Sequence, residues 1–197
     1  EVLTGFKYIG EQIKLFEQDH SHHYLFGMEE SYGCLAGTYA RDKDACVAVM
    51  MLCEVAAYYK LQGKTLCDAM EEMYQKYGYY QEGLATVTKK GMDGAQQIQD
   101  LMAGQRKNPP KELGGYKVLR VRDYQEDKVT DMKTGQQSPT GLPASNVLYY
   151  ELENNAWCCV RPSGTEPKIK YYFGVKGESV EDAKGKLEAL KKDIMGE

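Results

Sequence analysis

Residues 146–175 read NVLYYELENNAWCCVRPSGTEPKIKYYFGV and set the architecture of the second half of the chain. Runs rich in β-branched and aromatic residues predict three successive strands, at 146–153, 156–160 and 168–175. Asn154 and Asn155 suit a tight turn between the first two of these strands. We expect these strands to belong to an antiparallel sheet.

Further elements extend this unit on its amino-terminal and carboxy-terminal sides. A helix is predicted at 94–105, ended by prolines at 109 and 110, and a strand is predicted at 116–123. The stretch 130–145 is rich in Thr, Gly, Gln, Ser and Pro and is expected to be a loop. With a closing helix at 180–194, residues 85–197 are predicted to form an α+β domain, an antiparallel sheet flanked by helices.

The first half of the chain has a different pattern. It predicts a helix at 7–16, short strands at 23–26 and 34–39, a long apolar helix from about 42 to 62, and a further helix capped by Thr65. Residues 1–84 are therefore expected to be an α/β domain with a partial mixed sheet, joined to the second domain by the aromatic stretch 77–83. Because residues 1–3 offer only the end of a strand, the chain is expected to begin inside that domain.

The composition excludes several classes of protein. The chain has 197 residues, 42% of them hydrophobic and 27% charged, and a formal net charge of −4. The sequence contains neither a membrane-length apolar run nor a signal-peptide pattern, so we expect a cytoplasmic protein with no membrane partner. The acidic balance argues against a nucleic-acid partner. The six cysteines form no CxxC pair, so we expect small buried hydrophobes and no metal site.

Residues 161–167, RPSGTEP, have the composition of an anion-binding loop between two strands. An arginine can form two hydrogen bonds to a phosphate, Ser163 and Thr165 can donate hydroxyl hydrogens, and Gly164 leaves backbone amides accessible. Lys168 and Lys170 share one strand face, and either can reach the same anion. The alternative is a surface hairpin in which Arg161 pairs with Glu166 and Ser163 caps a turn.

Two segments of the first half also carry chemistry. Residues 27–33, GMEESYG, place two carboxylates and the Ser31 hydroxyl between glycines, which suits hydrogen bonding to vicinal sugar hydroxyls. Adjacent carboxylates point apart, so either Glu29 or Glu30 faces a ligand; a solvated acidic loop is the alternative. Lys43, between two aspartates at the predicted helix start, can stabilise an anion or belong to an exposed salt-bridged helix end.

The RPSGTEP run resembles the phosphate-binding loop in the last domain of the α-D-phosphohexomutases, the phosphoglucomutase/phosphomannomutase family. This resemblance implies that Arg161, Ser163, Gly164 and Thr165 bind the phosphate that is not transferred, with Lys170 as a further contact. Residues 27–33 resemble the family's sugar-binding loop, which implies that Glu29 and Ser31 contact sugar hydroxyls, with Glu30 as the second candidate.

Two more segments resemble the family. Residues 41–44, RDKD, match a motif whose lysine reaches the transferring phosphoryl group, which implies that Lys43 is catalytic. Residues 4–7, TGFK, resemble a loop that helps to distinguish the two ends of the substrate, so Thr4, Gly5 and Phe6 become contact candidates. A helix cap formed by Thr4 is the alternative.

The resemblance covers essentially the whole chain and implies the carboxy-terminal part of such an enzyme, comprising part of its third domain and its fourth. The complete enzyme would interconvert hexose 1-phosphate and hexose 6-phosphate. The chain contains neither the family's phosphoserine loop nor its aspartate-rich magnesium loop, so we expect magnesium only in the full-length enzyme. The resemblance implies a hexose phosphate and the amino-terminal domains of the same protein as partners. Separately, a strand edge left open in the partial domain can promote association with a second copy. The alternative is a stand-alone, non-catalytic sugar-phosphate-binding module.

Overall fold

The computed structural model describes residues 2–29, 31–89, 93–164 and 166–195. It divides the chain into two compact units, Glu1–Glu72 and Met73–Glu197. We describe each unit by itself.

The first unit combines three helices with a β-hairpin. Its elements are α1 (Phe6–Asp19), β1 (Phe26–Met28), β2 (Cys34–Ala36), α2 (Ala45–Leu61) and α3 (Leu66–Tyr77), which continues into the second unit. The two strands pair antiparallel, from Phe26 opposite Ala36 to Met28 opposite Cys34. Both strands are shorter than predicted, and the first begins three residues later, because only these residues are paired.

The predicted cap of α3 is confirmed. The Thr65 hydroxyl accepts from the Asp68 amide at 3.2 Å, and the Asp68 carboxylate accepts from the Thr65 amide at 2.7 Å, so the two residues form a reciprocal cap. At α1, the residue before the helix is Gly5, with φ 124°, so Thr4 does not cap this helix.

The buried core of the first unit is small. Phe6 and Ile13 of α1 pack with Leu35 of β2, and Ile9, Tyr24 and Ala40 lie around them. The spacing of Phe6, Ile9 and Ile13 places all three on one side of α1, which explains why this helix faces the hairpin.

Helix α2 is apolar on all sides, yet none of its residues is buried among those described. Val49, Leu52 and Tyr58 are exposed, and Glu54 and Lys60 are its only charged residues. The prediction of buried cysteines is wrong for Cys46, Cys53 and Cys67, which are exposed because α2 and α3 have so little packed against them. Cys158 is buried as predicted.

No single helix among the described residues is long and apolar enough to cross a membrane. Helices α2 and α3 meet the requirements of length and composition only together, as a pair bent by 86°.

The second unit is built on one sheet. Its elements are β3 (Tyr79–Thr88), α4 (Gly94–Lys107), β4 (Glu112–Leu113), β5 (Tyr116–Asp123), β6 (Lys128–Asp131), β7 (Gln137–Ser138), β8 (Leu148–Leu152), β9 (Trp157–Pro162), β10 (Lys168–Gly177) and α5 (Val180–Met195). The strand order is β3-β10-β9-β8-β5-β6-β7, with β4 beside the start of β5, and every pairing is antiparallel. The predicted order of fold classes, α/β followed by α+β, is confirmed.

The prediction of a turn-rich connection at 77–83 is wrong for residues 79–83, which belong to a strand. Residues 79–88 form β3, which pairs with β10 at ten successive positions, from Tyr79 opposite Gly177 to Thr88 opposite Lys168. The strand lies at the edge of the sheet and alternates exposed with less exposed residues. Because this pairing holds residues 79–84 in the second unit, the division between the units lies earlier than the predicted boundary at 84/85.

Two predicted connections differ in detail from those in the structure. Asn154 and Asn155 have φ values of 58° and 59°, which confirms a turn, although the connection is a three-residue 3-10 turn, Glu153–Asn155. The stretch 130–145 was expected to be a loop throughout, but it contains the end of β6 and all of β7, which hydrogen-bond to each other and extend the sheet edge.

The core of the second unit lies between one face of the sheet and helices α4 and α5. Leu148, Val160, Ile169 and Phe173 from the sheet are buried in one cluster with Met102 of α4 and with Leu187 and Leu190 of α5. The opposite face carries side chains that are half-buried or exposed, including Arg161, Lys170 and Thr86. We call this the open face.

Candidate functional site

The predicted phosphate loop connects β9 to β10 as a closed turn. The Ser163 amide donates to the Lys168 carbonyl at 2.8 Å, and the Lys168 amide donates to the Glu166 carbonyl at 2.7 Å. The Glu166 amide donates to the Ser163 hydroxyl oxygen at 3.3 Å. These bonds connect the two ends of the loop, whereas Thr165 lies outside the described residues.

The charges around this loop are unequally paired. Lys168 Nζ lies 3.0 and 3.1 Å from the two carboxylate oxygens of Glu166. Within the part of the chain that the structure describes, Arg161 and Lys170 form no ion pair. The alternative in which Arg161 pairs with Glu166 is therefore not the arrangement in this structure.

Arg161 and Lys170 lie directly opposite each other on neighbouring strands. Opposed residues of an antiparallel pair share a face, so both cations belong to the open face, close to the loop. Gly164 is exposed, and a side chain there would meet no atom within 4 Å. Packing therefore does not require glycine at this position, and the backbone on this side of the loop is accessible.

The predicted sugar loop is the connection between β1 and β2. The Glu29 amide donates to the Gly33 carbonyl at 2.8 Å, and the Tyr32 amide donates to the Glu29 carbonyl at 3.2 Å. Ser31 is exposed at the tip of the hairpin, whereas the Glu29 side chain is only 12% exposed. Glu30 lies outside the described residues. Of the two candidate carboxylates, the structure thus describes only Glu29.

Lys43 brings the separate predicted segments of the first unit together. Its ammonium lies 3.5 Å from Glu29 Oε1, 3.1 Å from Asp42 Oδ1 and 5.8 Å from the centre of the Phe6 ring. Gly33 permits this approach, because a side chain there would overlap the methylene groups of Lys43. We call Phe6, Glu29 and Lys43 the Lys43 cluster; Thr4 and Gly5 directly precede Phe6 in the chain.

The electrostatics of the Lys43 cluster favour a charged lysine. The hydrogen bond to Asp42 is the main cause that raises the pKa of Lys43, and the Glu29 carboxylate adds to it. A raised pKa keeps the ammonium protonated at neutral pH. Lys43 is therefore suited to stabilising negative charge, whereas accepting a proton would require a lowered pKa.

Asp44 explains how Lys43 is positioned. Its carboxylate accepts from the amides of Cys46 and Val47, so α2 begins at Ala45 rather than near residue 42. Lys43 thus lies just before the helix, where its side chain can turn towards the hairpin. The Tyr39 hydroxyl donates to the same carboxylate at 2.6 Å, which raises the pKa of Tyr39 to about 12. Sequence reasoning missed Tyr39 and Gly33, because no local pattern links them to Lys43.

A metal site is not apparent in residues 2–29, 31–89, 93–164 and 166–195. No group of three or more His, Cys, Asp or Glu side chains in these ranges could hold a metal ion.

Comparison with known proteins identifies two matching regions. Residues 1–77 match the model of phosphoglucomutase/phosphomannomutase, alpha/beta/alpha domain III, and residues 110–192 match phosphoglucomutase/phosphomannomutase, C-terminal domain.

Curated relatives agree with these matches. A protein named phosphoglucomutase from Staphylococcus aureus (strain bovine RF122 / ET3-1) is 40% identical over 190 residues, which cover 96% of this chain and 34% of the relative. Phosphoglucomutases from strains MSSA476 and MRSA252 are each 39% identical over the same shares. The chain spans about a third of the length of the curated relatives it matches.

Proposed function

Because this chain belongs to the phosphoglucomutase/phosphomannomutase family, we propose that it supplies the sugar and phosphate clamps for interconversion of hexose 1-phosphate and hexose 6-phosphate. The observation that carries this proposal is the charge pattern at the loop between β9 and β10. Glu166 neutralises Lys168, while Arg161 and Lys170 face the same side without an ion pair among the described residues. Two such cations beside a turn whose ends are joined by backbone hydrogen bonds suit a phosphate dianion.

The loop holds the phosphate that is not transferred. Arg161 forms two hydrogen bonds to phosphate oxygens, and Ser163 contributes its hydroxyl. The backbone of Gly164 and the hydroxyl of Thr165 complete this clamp. Lys170 is favoured over Lys168 as the additional cation, because Lys168 would first have to leave the Glu166 carboxylate.

The Lys43 cluster binds the sugar and the transferring phosphoryl group. The Glu29 carboxylate accepts hydrogen bonds from sugar hydroxyls, and the Ser31 hydroxyl donates or accepts them. Glu30 is the second candidate carboxylate, and Thr4, Gly5 and Phe6 border the same region. Lys43 stabilises the negative charge of the phosphoryl group during transfer. Its contact with Glu29 means that binding would exchange an internal ion pair for one with the ligand.

The chemical step requires more than this chain. In the complete enzyme, a phosphoserine exchanges a phosphoryl group with the substrate, and magnesium supplies charge neutralisation at that group. We place both on the amino-terminal domains of the same protein. The purified chain should therefore bind hexose phosphates but show no mutase turnover. We also propose that the protein is cytoplasmic.

Calorimetric titration with glucose 1-phosphate and mannose 1-phosphate tests this proposal. Arg161→Ala should weaken binding of either sugar phosphate at least about tenfold, since hydrogen bonds to a charged group contribute about 1.5–3 kcal/mol. Arg120→Ala is the matched control, because Arg120 lies on β5 and pairs with Glu151. Equal affinities of the unaltered chain and Arg161→Ala would overturn the phosphate assignment.

Mutase turnover by the purified chain would contradict the second part of the proposal. The assay must follow conversion of glucose 1-phosphate with magnesium and a bisphosphate activator present, so that a missing component cannot explain inactivity. Addition of a full-length relative to the same reaction provides the positive control.

A further inference from the structure

We propose that strand β3 contributes Thr86 and Thr88 as additional ligands of the anion site beside the phosphate loop. This inference rests on the proposed function and extends that site from the loop onto a third strand. It follows from the register of β3, β10 and β9.

Two rows of side chains cross these three strands on the open face. In the first row, Lys170 lies between Arg161 on β9 and Thr86 on β3. In the second row, Thr88 lies opposite Lys168, whose carbonyl accepts the Ser163 amide at 2.8 Å. Opposed side chains in antiparallel strands have Cβ atoms about 4.5–5.5 Å apart, so each row is continuous.

The two rows combine the donors that a phosphate needs. They contain the cations Arg161 and Lys170, with Lys168 paired to Glu166, and the hydroxyls of Ser163, Thr86 and Thr88. A phosphate dianion has more acceptor sites than Arg161 and Ser163 alone can fill, and a threonine hydroxyl can donate to one of them. Thr86 and Thr88 are exposed, so both hydroxyls are accessible.

The row that follows on the side away from the loop is less polar. The next row on the open face consists of Leu84, Tyr172, Cys159 and Tyr149. Leu84 is exposed and lies on the same face as Thr86, two residues before it. The two threonines of β3 therefore lie in the two rows nearest the loop.

The end of β3 is also fixed to the loop itself. The Lys89 amide donates to the Pro167 carbonyl at 2.9 Å, directly after the last pair of β3 and β10. This bond, with ten paired positions behind it, keeps Thr86 and Thr88 in place relative to Arg161. The hydroxyls are therefore preorganised, which lowers the entropic cost of using them to bind an anion.

The test is the double variant Thr86→Val/Thr88→Val, titrated calorimetrically with inorganic phosphate and with glucose 1-phosphate. Valine preserves the β-branched shape, so the strand is retained, and circular dichroism checks this. We expect the Kd for both ligands to rise about tenfold. Thr86→Ser/Thr88→Ser should bind within about twofold of the unaltered chain, because it keeps both hydroxyls. Thr130→Val on β6 is the matched control for a threonine outside these rows.

The comparison with Arg161→Ala separates this inference from the proposed function. If Arg161→Ala weakens binding but the double valine variant does not, the contribution of β3 is overturned and the loop assignment stands. If Arg161→Ala binds as the unaltered chain does, the proposed function fails, and the extension to β3 fails with it.

Discussion

The Lys43 ammonium lies 3.5 Å from the Glu29 carboxylate, although the two residues belong to different predicted binding segments. Glu29 belongs to the hairpin connection, and Lys43 lies directly before α2. The ion pair shows that the two segments form one cluster. Lys43 thus lies between two carboxylates, those of Glu29 and Asp42.

The pKa of Lys43 should respond more to Asp42 than to Glu29. The Asp42 hydrogen bond is the largest cause of the raised pKa, so Asp42→Asn should lower it further than Glu29→Gln does. The pKa of Lys43 is raised above its ordinary value of 10.5 in the folded state. The resulting stabilisation is therefore complete at neutral pH, and it is lost as the pH rises through the folded-state pKa. NMR titration of the Lys43 side chain measures both shifts, and a larger effect of Glu29→Gln would contradict the assignment.

Gly174 should not tolerate a side chain. The Trp157 ring covers this glycine and stacks on Tyr149 at 5.6 Å, so the Cβ of Gly174→Ala would overlap the indole. We expect a loss of about 1–3 kcal/mol in the free energy of unfolding. Trp157 is the only tryptophan, so its fluorescence should also change.

Gly185→Ala provides the control for that measurement. Gly185 lies in α5, and a side chain there would meet no atom within 4 Å. Alanine should stabilise the helix by up to about 1 kcal/mol. Urea unfolding followed by fluorescence measures the free energy of unfolding of both variants. We expect it to fall for Gly174→Ala and to rise for Gly185→Ala, and a change of the same sign in both would refute the packing argument.

Arg106 should be important for the stability of the second unit. Its Nε lies 3.2 and 3.0 Å from the two oxygens of Asp123, which is only 5% exposed, and its terminal nitrogen donates to Asn146 at 2.6 Å. Arg106→Met would leave a buried carboxylate without its cation, which costs about 3–5 kcal/mol.

A surface pair is the appropriate comparison for Arg106. Lys117 lies 3.8 Å from Glu153 with its side chain 74% exposed, so Lys117→Met should change the free energy of unfolding by less than about 1 kcal/mol. Chemical denaturation of both variants measures the difference. Similar effects would show that burial does not distinguish the two pairs.

Helix α2 should cause the isolated chain to self-associate. Val49 and Leu52 are exposed on a helix that is apolar on all sides, and a second copy of the chain presents the same surface. We expect the sedimentation coefficient to rise with concentration, and Val49→Glu/Leu52→Glu to abolish this rise by placing charges in the contact. Leu119→Glu on β5 is the control, and a concentration-independent coefficient for the unaltered chain would disprove the association.

Much of the second unit could be predicted from local pattern. The bounds of β5 were predicted at 116–123 as observed, and those of α5 differ by one residue at its end. The cap of α3 at Thr65 was also predicted correctly. In each case the neighbouring residues carry the information, because strand alternation, helical spacing and capping act over a few positions.

The predictions of binding segments also rest on local runs of residues, RPSGTEP and GMEESYG. Their contacts could not be predicted from those runs. Whether Lys168 or Lys170 stays without an ion pair depends on where the Glu166 carboxylate points, and the meeting of Lys43 with Phe6 depends on how α1 packs.

Strand β3 shows most clearly what required the tertiary structure. Its sequence, YYQEGLATVT, has too weak an alternation to distinguish a strand from a linker. It becomes a strand because β10, about 90 residues away, offers ten paired positions, and α5 packs Leu187 against Gly83. Local periodicity specifies most of the element types. The strand character of β3, the register and the ion pairing depend on which distant segments fold together, because backbone hydrogen bonds and burial are satisfied only there.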